Sequence, residues 1–151
     1  MSEVNSFSSA SPRLQQMLTR LRERNFRITP QRLAILEVLA SSDKHPTVAH
    51  VFEAVRGRFP TTSLATVYKT IILLRELNEL LELGFPDGSN RYDGCKPFPH
   101  PHMICVRCKE IMDPELSSLG DLSEEMNRTT GYKILYHRVD FFGLCPECQN
   151  Q

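Results

Sequence analysis

The chain has 151 residues, 40% of them hydrophobic, and a formal net charge of zero. That length suits one medium or two small domains, and the apolar share supports a packed core, which excludes a wholly disordered chain. No apolar run approaches the roughly 18 residues of a membrane-spanning helix. The neutral total conceals an asymmetry: from Arg13 to Arg75 there are eleven Lys and Arg against four Asp and Glu, whereas from Asp93 onward there are six against nine. A basic half followed by an acidic half bearing Cys and His is the charge pattern of a chain that binds nucleic acid through one part. Residues 1–12 are Ser-rich, with neither a basic n-region nor an apolar h-region, and are expected to form a disordered tail rather than a secretory signal. A cytoplasmic location is expected. Disulfides are disfavoured there, so the five cysteines need another role.

Taken in chain order, Arg13 to Asn25 reads as a helix with Leu14, Met17, Leu18 and Leu21 on one face. Thr29-Pro30 starts the next, because Thr caps and Pro suits the first helical position; it runs to about Ala40. Thr47 caps a third helix carrying Val48, Val51, Phe52 and Val55, which ends at Phe59-Pro60. Ser63 caps a fourth, with Leu64, Val67, Ile71 and Leu74 as its buried stripe. Leu80–Leu83 and Asn90–Asp93 flank the turn signal Phe85-Pro86-Asp87-Gly88 and read as a hairpin. Four helices and a hairpin form the order of a winged helix-turn-helix. Gly94–Pro101, with three prolines, reads as a linker. Beyond it, His102–Cys105 and Ile111–Met112 suggest short strands. Leu116 to Arg128 reads as a helix on its Leu116, Leu119, Leu122, Met126 stripe, and Lys133 to Leu144 as one or two strands. The expected fold class is therefore α+β: a winged-helix domain at 13–92, a hinge at 93–101, and a small α/β domain at 102–151.

Two CxxC pairs, Cys105–Cys108 and Cys145–Cys148, stand thirty-six residues apart. Two residues between cysteines let both thiolates of a knuckle face one ion, and two knuckles supply the four soft ligands that suit structural zinc. A redox dithiol is the competing reading of a single CxxC; the second pair favours zinc. Four thiolates leave no open coordination position, so the zinc is expected to be structural. Cys95 is left over, and a buried or incidental thiol is its plainer reading.

His100-Pro-His102 lies just before the first knuckle. In extended backbone, residues two apart face the same side, so both imidazoles could reach one ion. Asp93 and Asp113 flank the pair, and His45 lies far upstream. Three imidazoles and two carboxylates suit iron(II), manganese(II) or, less selectively, zinc. Solvated surface histidines and aspartates are the default alternative, and spacing alone leaves both open. His50 and His137 read as ordinary.

Arg27-Ile-Thr-Pro-Gln-Arg32, Ala65-Thr-Val-Tyr68, Arg91-Tyr-Asp93, His100-Pro-His102-Met-Ile-Cys105 and the two knuckles together resemble the ferric uptake regulator family, from about Arg13 to Cys148. Within it the chain is most similar to the peroxide-responsive branch. That resemblance implies a regulatory iron(II) or manganese(II) held by His45, Asp93, His100, His102 and Asp113. The iron-uptake branch, the alternative assignment, usually carries Glu at the positions of Asp93 and Asp113. A further family metal site usually has a carboxylate or His where Pro101 stands, so its absence is expected. The resemblance also implies a homodimer that joins through its C-terminal domain and represses at a palindromic operator in double-stranded DNA. Peroxide would then oxidise His45 or His100 through the bound iron and release the DNA. No membrane partner, and no small-molecule substrate beyond metal ions and hydrogen peroxide, is expected.

An ion bridging His45 and the later ligands would set the angle between domains, and so the spacing of two recognition helices on DNA. On the fourth helix, Ser63, Ala65, Thr66, Tyr68 and Lys69 are the expected DNA contacts, with Arg22 reaching the backbone from the first helix. Two other classes compete: a metalloenzyme using open coordination positions, for which there is no separate general base, and a disulfide redox switch. The chain is expected not to be an enzyme.

Overall fold

The computed structural model describes residues 11–151, and the chain divides into two compact units after Pro97. All but the last two residues of the expected tail lie outside the described residues. Those two belong to the first helix: the Ser11 hydroxyl accepts from Leu14 N at 3.2 Å and Pro12 opens α1, Pro12–Glu23. The helix ends two residues earlier than its pattern suggests, because Asn25 adopts a left-handed φ of 61°, which Asn tolerates better than most residues. Leu14, Met17, Leu18 and Leu21 are buried as the stripe predicts.

The next three helices start at the expected caps. Thr29 caps α2 (Pro30–Ser41), Thr47 caps α3 (Val48–Arg56) and Ser63 caps α4 (Leu64–Glu76). Each hydroxyl accepts from the backbone N–H three residues on, an interaction worth about 1 kcal/mol. His50 completes a capping box on α3, its Nδ1 accepting from Thr47 N at 3.3 Å, so this ordinary-looking histidine has a structural task. On α4 the buried stripe is Val67, Thr70, Ile71 and Leu74, not one beginning at Leu64, which is 45% exposed. Leu64 is the first helical residue and projects past the core. Thr70 can occupy the core because its hydroxyl donates to the Thr66 carbonyl at 3.0 Å.

The wing is β1, Leu81–Leu83, antiparallel to β2, Arg91–Asp93, with Leu81 opposite Asp93 and Leu83 opposite Arg91. Glu82 ties it together, accepting from Arg75 at 2.6 Å, the Tyr92 hydroxyl at 3.0 Å and the Asn90 amide at 3.1 Å. Burial together with the Glu82 bond pushes the Tyr92 phenol up to about 12. One apolar cluster, including Met17, Ile35, Leu39, Val51, Ile71, Leu74 and Tyr92, joins the four helices and the wing.

In the second unit, β3 (His102–Cys105) lies between β4 (Ile111–Met112), antiparallel to it, and β5 (Asp140–Gly143), parallel to it. The parallel register pairs His102 with Asp140 and Cys105 with Gly143. Helix α5, Leu119–Thr130, starts three residues after Leu116 and buries none of its residues. The short helix α6, Pro146–Gln149, follows β5. The strand expected from Lys133 is found only at its end. Residues 133–139 have strand composition but precede the reach of β3, and Leu135 and Tyr136 are 82% and 79% exposed. A β-prone segment without a pairing edge forms no ladder.

Gly94 follows β2 at a position where only hydrogen fits. A Cβ there would lie 2.5 Å from the Leu39 carbonyl oxygen, and its own carbonyl accepts from Arg13 Nε. Gly94→Ala is therefore expected to destabilise the first unit by about 1–3 kcal/mol, the usual cost of overpacking. Gly57→Ala, where nothing lies within 4 Å, should change stability by less than about 0.5 kcal/mol. Urea denaturation of the two variants beside the parent chain checks this.

Candidate metal centres and nucleic-acid face

The four knuckle cysteines converge. Their sulfurs all lie within 4.8 Å of one another, and Cys108 Sγ is 3.8 Å from Cys145 Sγ. Cys105 ends β3, Cys108 lies in the turn toward β4, Cys145 follows β5 and Cys148 lies in α6. Backbone N–H groups point at the sulfurs: Cys145 N donates to Cys105 Sγ and Cys148 N to Cys145 Sγ, both at 3.4 Å. The Cys108 and Cys145 backbone N–H groups hold the Cys105 thiol down to about 6, whereas the neighbouring Cys145 thiol and burial push Cys148 up to about 12. Four thiols so close cannot all ionise alone, and a divalent cation is what lets them. Four soft donors in a closed cluster fit zinc.

The imidazole–carboxylate residues fall into two sets, one in each unit. In the first, His45 Nε2 lies 3.1 Å from Asp93 Oδ2, with both side chains almost fully buried. His45 holds a left-handed φ of 52°, which costs a non-glycine residue about 1–3 kcal/mol. The surroundings enforce it. Arg91 Nε donates to the His45 carbonyl, Arg91 Nη2 donates to the Lys44 carbonyl at 2.9 Å, and Tyr92 N donates to the Pro46 carbonyl at 3.0 Å. The Arg91-Tyr92-Asp93 motif thus has one function per residue: Arg91 pins the His45 loop, Tyr92 packs in the core and Asp93 faces the imidazole. Asp93 Oδ1 in turn accepts from Cys95 N at 3.0 Å and Lys96 N at 2.9 Å, which orients the carboxylate.

In the second unit, His100 Nε2 and His102 Nε2 lie 3.4 Å and 3.6 Å from Asp113 Oδ1. The two rings are 4.3 Å apart, as residues two apart in extended backbone require. Asp140, which the sequence reading did not single out, lies 3.2 Å from His102 Nδ1. Its signal was the β3–β5 register, a pairing across thirty-eight positions that no local pattern reveals.

Cys95 is half-buried, its thiol 3.1 Å and 3.2 Å from the Ala40 and Ser42 carbonyl oxygens at the end of α2. This thiol bonds to the helix end.

Of the expected DNA contacts, Ala65, Tyr68 and Lys69 are exposed on α4. The Ser63 hydroxyl is engaged as the cap and Thr66 is half-buried against it, their oxygens 2.9 Å apart. Arg22 is exposed in the last turn of α1, a helix that packs on α2. Two further basic residues are engaged locally, Arg58 with Glu37 at 2.8 Å and Arg32 with the Arg27 carbonyl.

A winged helix followed by a cysteine-clasped α/β unit defines a class of metal-dependent transcriptional regulators. Residues 23–142 match the model of the ferric uptake regulator family, and the chain belongs to that family. The peroxide operon regulator of Bacillus subtilis is 38% identical over 142 residues, 94% of this chain and 97% of that one. The structure of the PerR protein of Streptococcus pyogenes is 31% identical, with a TM-score of 0.52 over 96% of this chain and 99% of that one. The ferric uptake regulator of Helicobacter pylori, 23% identical, shares the fold with a TM-score of 0.79 over 99% and 97%.

Binding energy at such a thiolate site is folding energy for a small unit. Cys145→Ser is expected to abolish stoichiometric zinc and to unfold the second unit, read by metal analysis and circular dichroism. A stable fold with full zinc content in that variant would remove the thiolate site from the architecture.

Proposed function

We propose that the protein is a repressor that binds a palindromic operator as a metal-loaded homodimer and loses the DNA when peroxide oxidises a ligand histidine. The observation that carries this reading is the pairing of imidazole with carboxylate in each unit: His45 with Asp93, and His100 and His102 with Asp113. His100, His102 and Asp113 are two imidazoles and a carboxylate, a set that suits iron(II) with open positions; His45 and Asp93 would bring the donors to five, which suits iron(II) or manganese(II). One ion drawing on both would favour one arrangement of the winged helix relative to the second unit. Such a preference is the differential affinity that couples metal binding to DNA binding, typically about 1–3 kcal/mol.

The second unit supports the dimer. Leu122 and Met126 on α5, with Tyr132, Leu135, Tyr136, Phe141 and Phe142, are all exposed large apolar side chains. A monomer seldom leaves so many on one small unit, and a second copy would cover them through a self-complementary interface. The basic first unit supports DNA as the partner, with Tyr68 and Lys69 free to project from the exposed face of α4. Nothing in this arrangement calls for substrate turnover. Tyr68→Ala and Lys69→Ala should each weaken operator binding while zinc content and dimerisation persist. Lys69→Ala should also lower the salt-dependence slope by about one if the lysine contacts a phosphate. Gel-shift titrations at several salt concentrations read both, and unchanged affinity and slope would move the DNA face elsewhere.

Peroxide as the signal is supported by Asp, the shorter carboxylate, at positions 93 and 113 and by the peroxide-responsive relatives. Bound iron(II) would supply the electron that turns peroxide into an oxidant beside the ligands. His45 and His100 resemble the positions oxidised in the peroxide-responsive branch and are the expected targets, and an imidazole that gains oxygen is a weaker ligand. The Cys95 thiol, directed at backbone carbonyls, is poorly placed to compete. Brief low-dose peroxide on the iron-loaded chain is expected to add one oxygen to His45 or His100 as operator binding is lost, while the manganese-loaded chain keeps both. Peptide mass spectrometry with parallel gel shifts measures this. Oxygen on Cys95 or the knuckle cysteines, with both histidines intact, would replace histidine sensing by thiol sensing.

A further inference from the structure

The Asp140 carboxylate is nine-tenths buried and serves two partners: Oδ1 lies 3.2 Å from His102 Nδ1, and Oδ2 accepts from Arg138 Nε. The backbone imposes the meeting. The parallel register sets His102 opposite Asp140, and His102 N donates to the Val139 carbonyl at 3.1 Å. His102 is itself 1% exposed, so its ring has little freedom to find another orientation.

A neutral imidazole carries one proton, on either nitrogen. An ionised carboxylate can only accept, so Asp140 draws that proton to Nδ1 and leaves the lone pair on Nε2, the nitrogen facing Asp113 Oδ1 beside His100. A strand-stabilising ion pair is a poor alternative account of Asp140. Arg138 is 46% exposed, and pairs open to water contribute little, whereas the histidine side of the contact is dry. We propose that Asp140, braced by Arg138, is a positioning residue for the regulatory metal: it fixes the tautomer and ring orientation of His102 and raises the basicity of Nε2. This inference rests on reading His100, His102 and Asp113 as metal ligands. Carboxylates in this relation to a ligand histidine typically contribute roughly 10–100-fold in metal affinity.

The test uses the full-length, zinc-loaded protein with Asp140→Ala, Asp140→Asn and Asp140→Glu. Manganese(II) affinity is read by electron paramagnetic resonance of the free ion. The His102 tautomer is read from nitrogen-15 NMR spectra before manganese is added, and zinc content confirms that the cysteine site is intact. The parent chain should show Nδ1 protonated. Asp140→Ala should shift the proton toward Nε2 and weaken manganese binding roughly 10–100-fold. Asp140→Asn, whose amide oxygen still accepts from Nδ1–H but carries no charge, should keep the tautomer and lose only part of the affinity; it also decides the matter if the alanine variant does not fold. Asp140→Glu should recover part of the binding. Equal affinity and an unchanged tautomer in the alanine and asparagine variants, with the parent chain binding manganese, would overturn this inference alone. A parent chain that binds no manganese would overturn the reading of the site and this inference with it.

Discussion

The second unit depends on the closure of β5 against β3. These strands run parallel, and their chain segments are separated by β4, α5 and a long exposed stretch, so no tight turn holds them in register. The cysteines do. Cys105 ends β3 and Cys145 lies two residues beyond β5, so an ion gripping both knuckles fixes the ends of the two strands side by side. The sheet has three short strands, and α5 buries none of its residues against it. An apolar core that thin supplies little stability, and the thiolate site compensates as metals do in other small folds. A one-residue slip of β5 would turn every side chain to the opposite face and carry Asp140 away from His102. The cysteine cluster and the His102–Asp140 contact of this unit therefore share one strand register.

The first unit solves a different problem: holding a histidine in a conformation its backbone resists. The left-handed φ at His45 is maintained by hydrogen bonds from Arg91 and Tyr92 and by the burial of the ring beside Asp93. Strain of this kind persists only where the surroundings over-determine it, and it tends to occur where side-chain direction matters. Gly94 extends the device. Its lack of a side chain lets the strand carrying Asp93 lie against the end of α2, and the Cys95 thiol then closes onto the carbonyls of that same helix end.

Where interactions are local in sequence, the residues revealed the structure well. Three cap residues, the α1 stripe and both strands of the wing follow from patterns a few residues long. The fourth stripe misplaced Leu64 because helical periodicity carries no information on where a core ends, and Thr70 was passed over because its buried hydroxyl is satisfied by its own helix. The CxxC spacing likewise identified the knuckles, since each is a local chelate. Asp140 and the task of Arg91 were not legible, because each acts on a residue about forty positions away through a pairing that only the folded chain creates.

The segment from Leu116 to Tyr136 shows why composition and structure can disagree without either being wrong. Its apolar residues occur at helical and then strand-like spacing, as they would if each buried one face. Yet α5 buries none of its residues, and residues 133–139 form no ladder. A hydrophobic pattern specifies that a face will be covered, not that the same chain will cover it. For one small unit to leave Leu122, Met126, Leu135 and Tyr136 in water would sacrifice burial free energy of about 1.5–3 kcal/mol for each large side chain. Retaining those residues makes sense when a second copy supplies the missing surface. The pattern that looked like an internal core is then an intermolecular one, and the unpaired strand-like stretch is a ready edge for it.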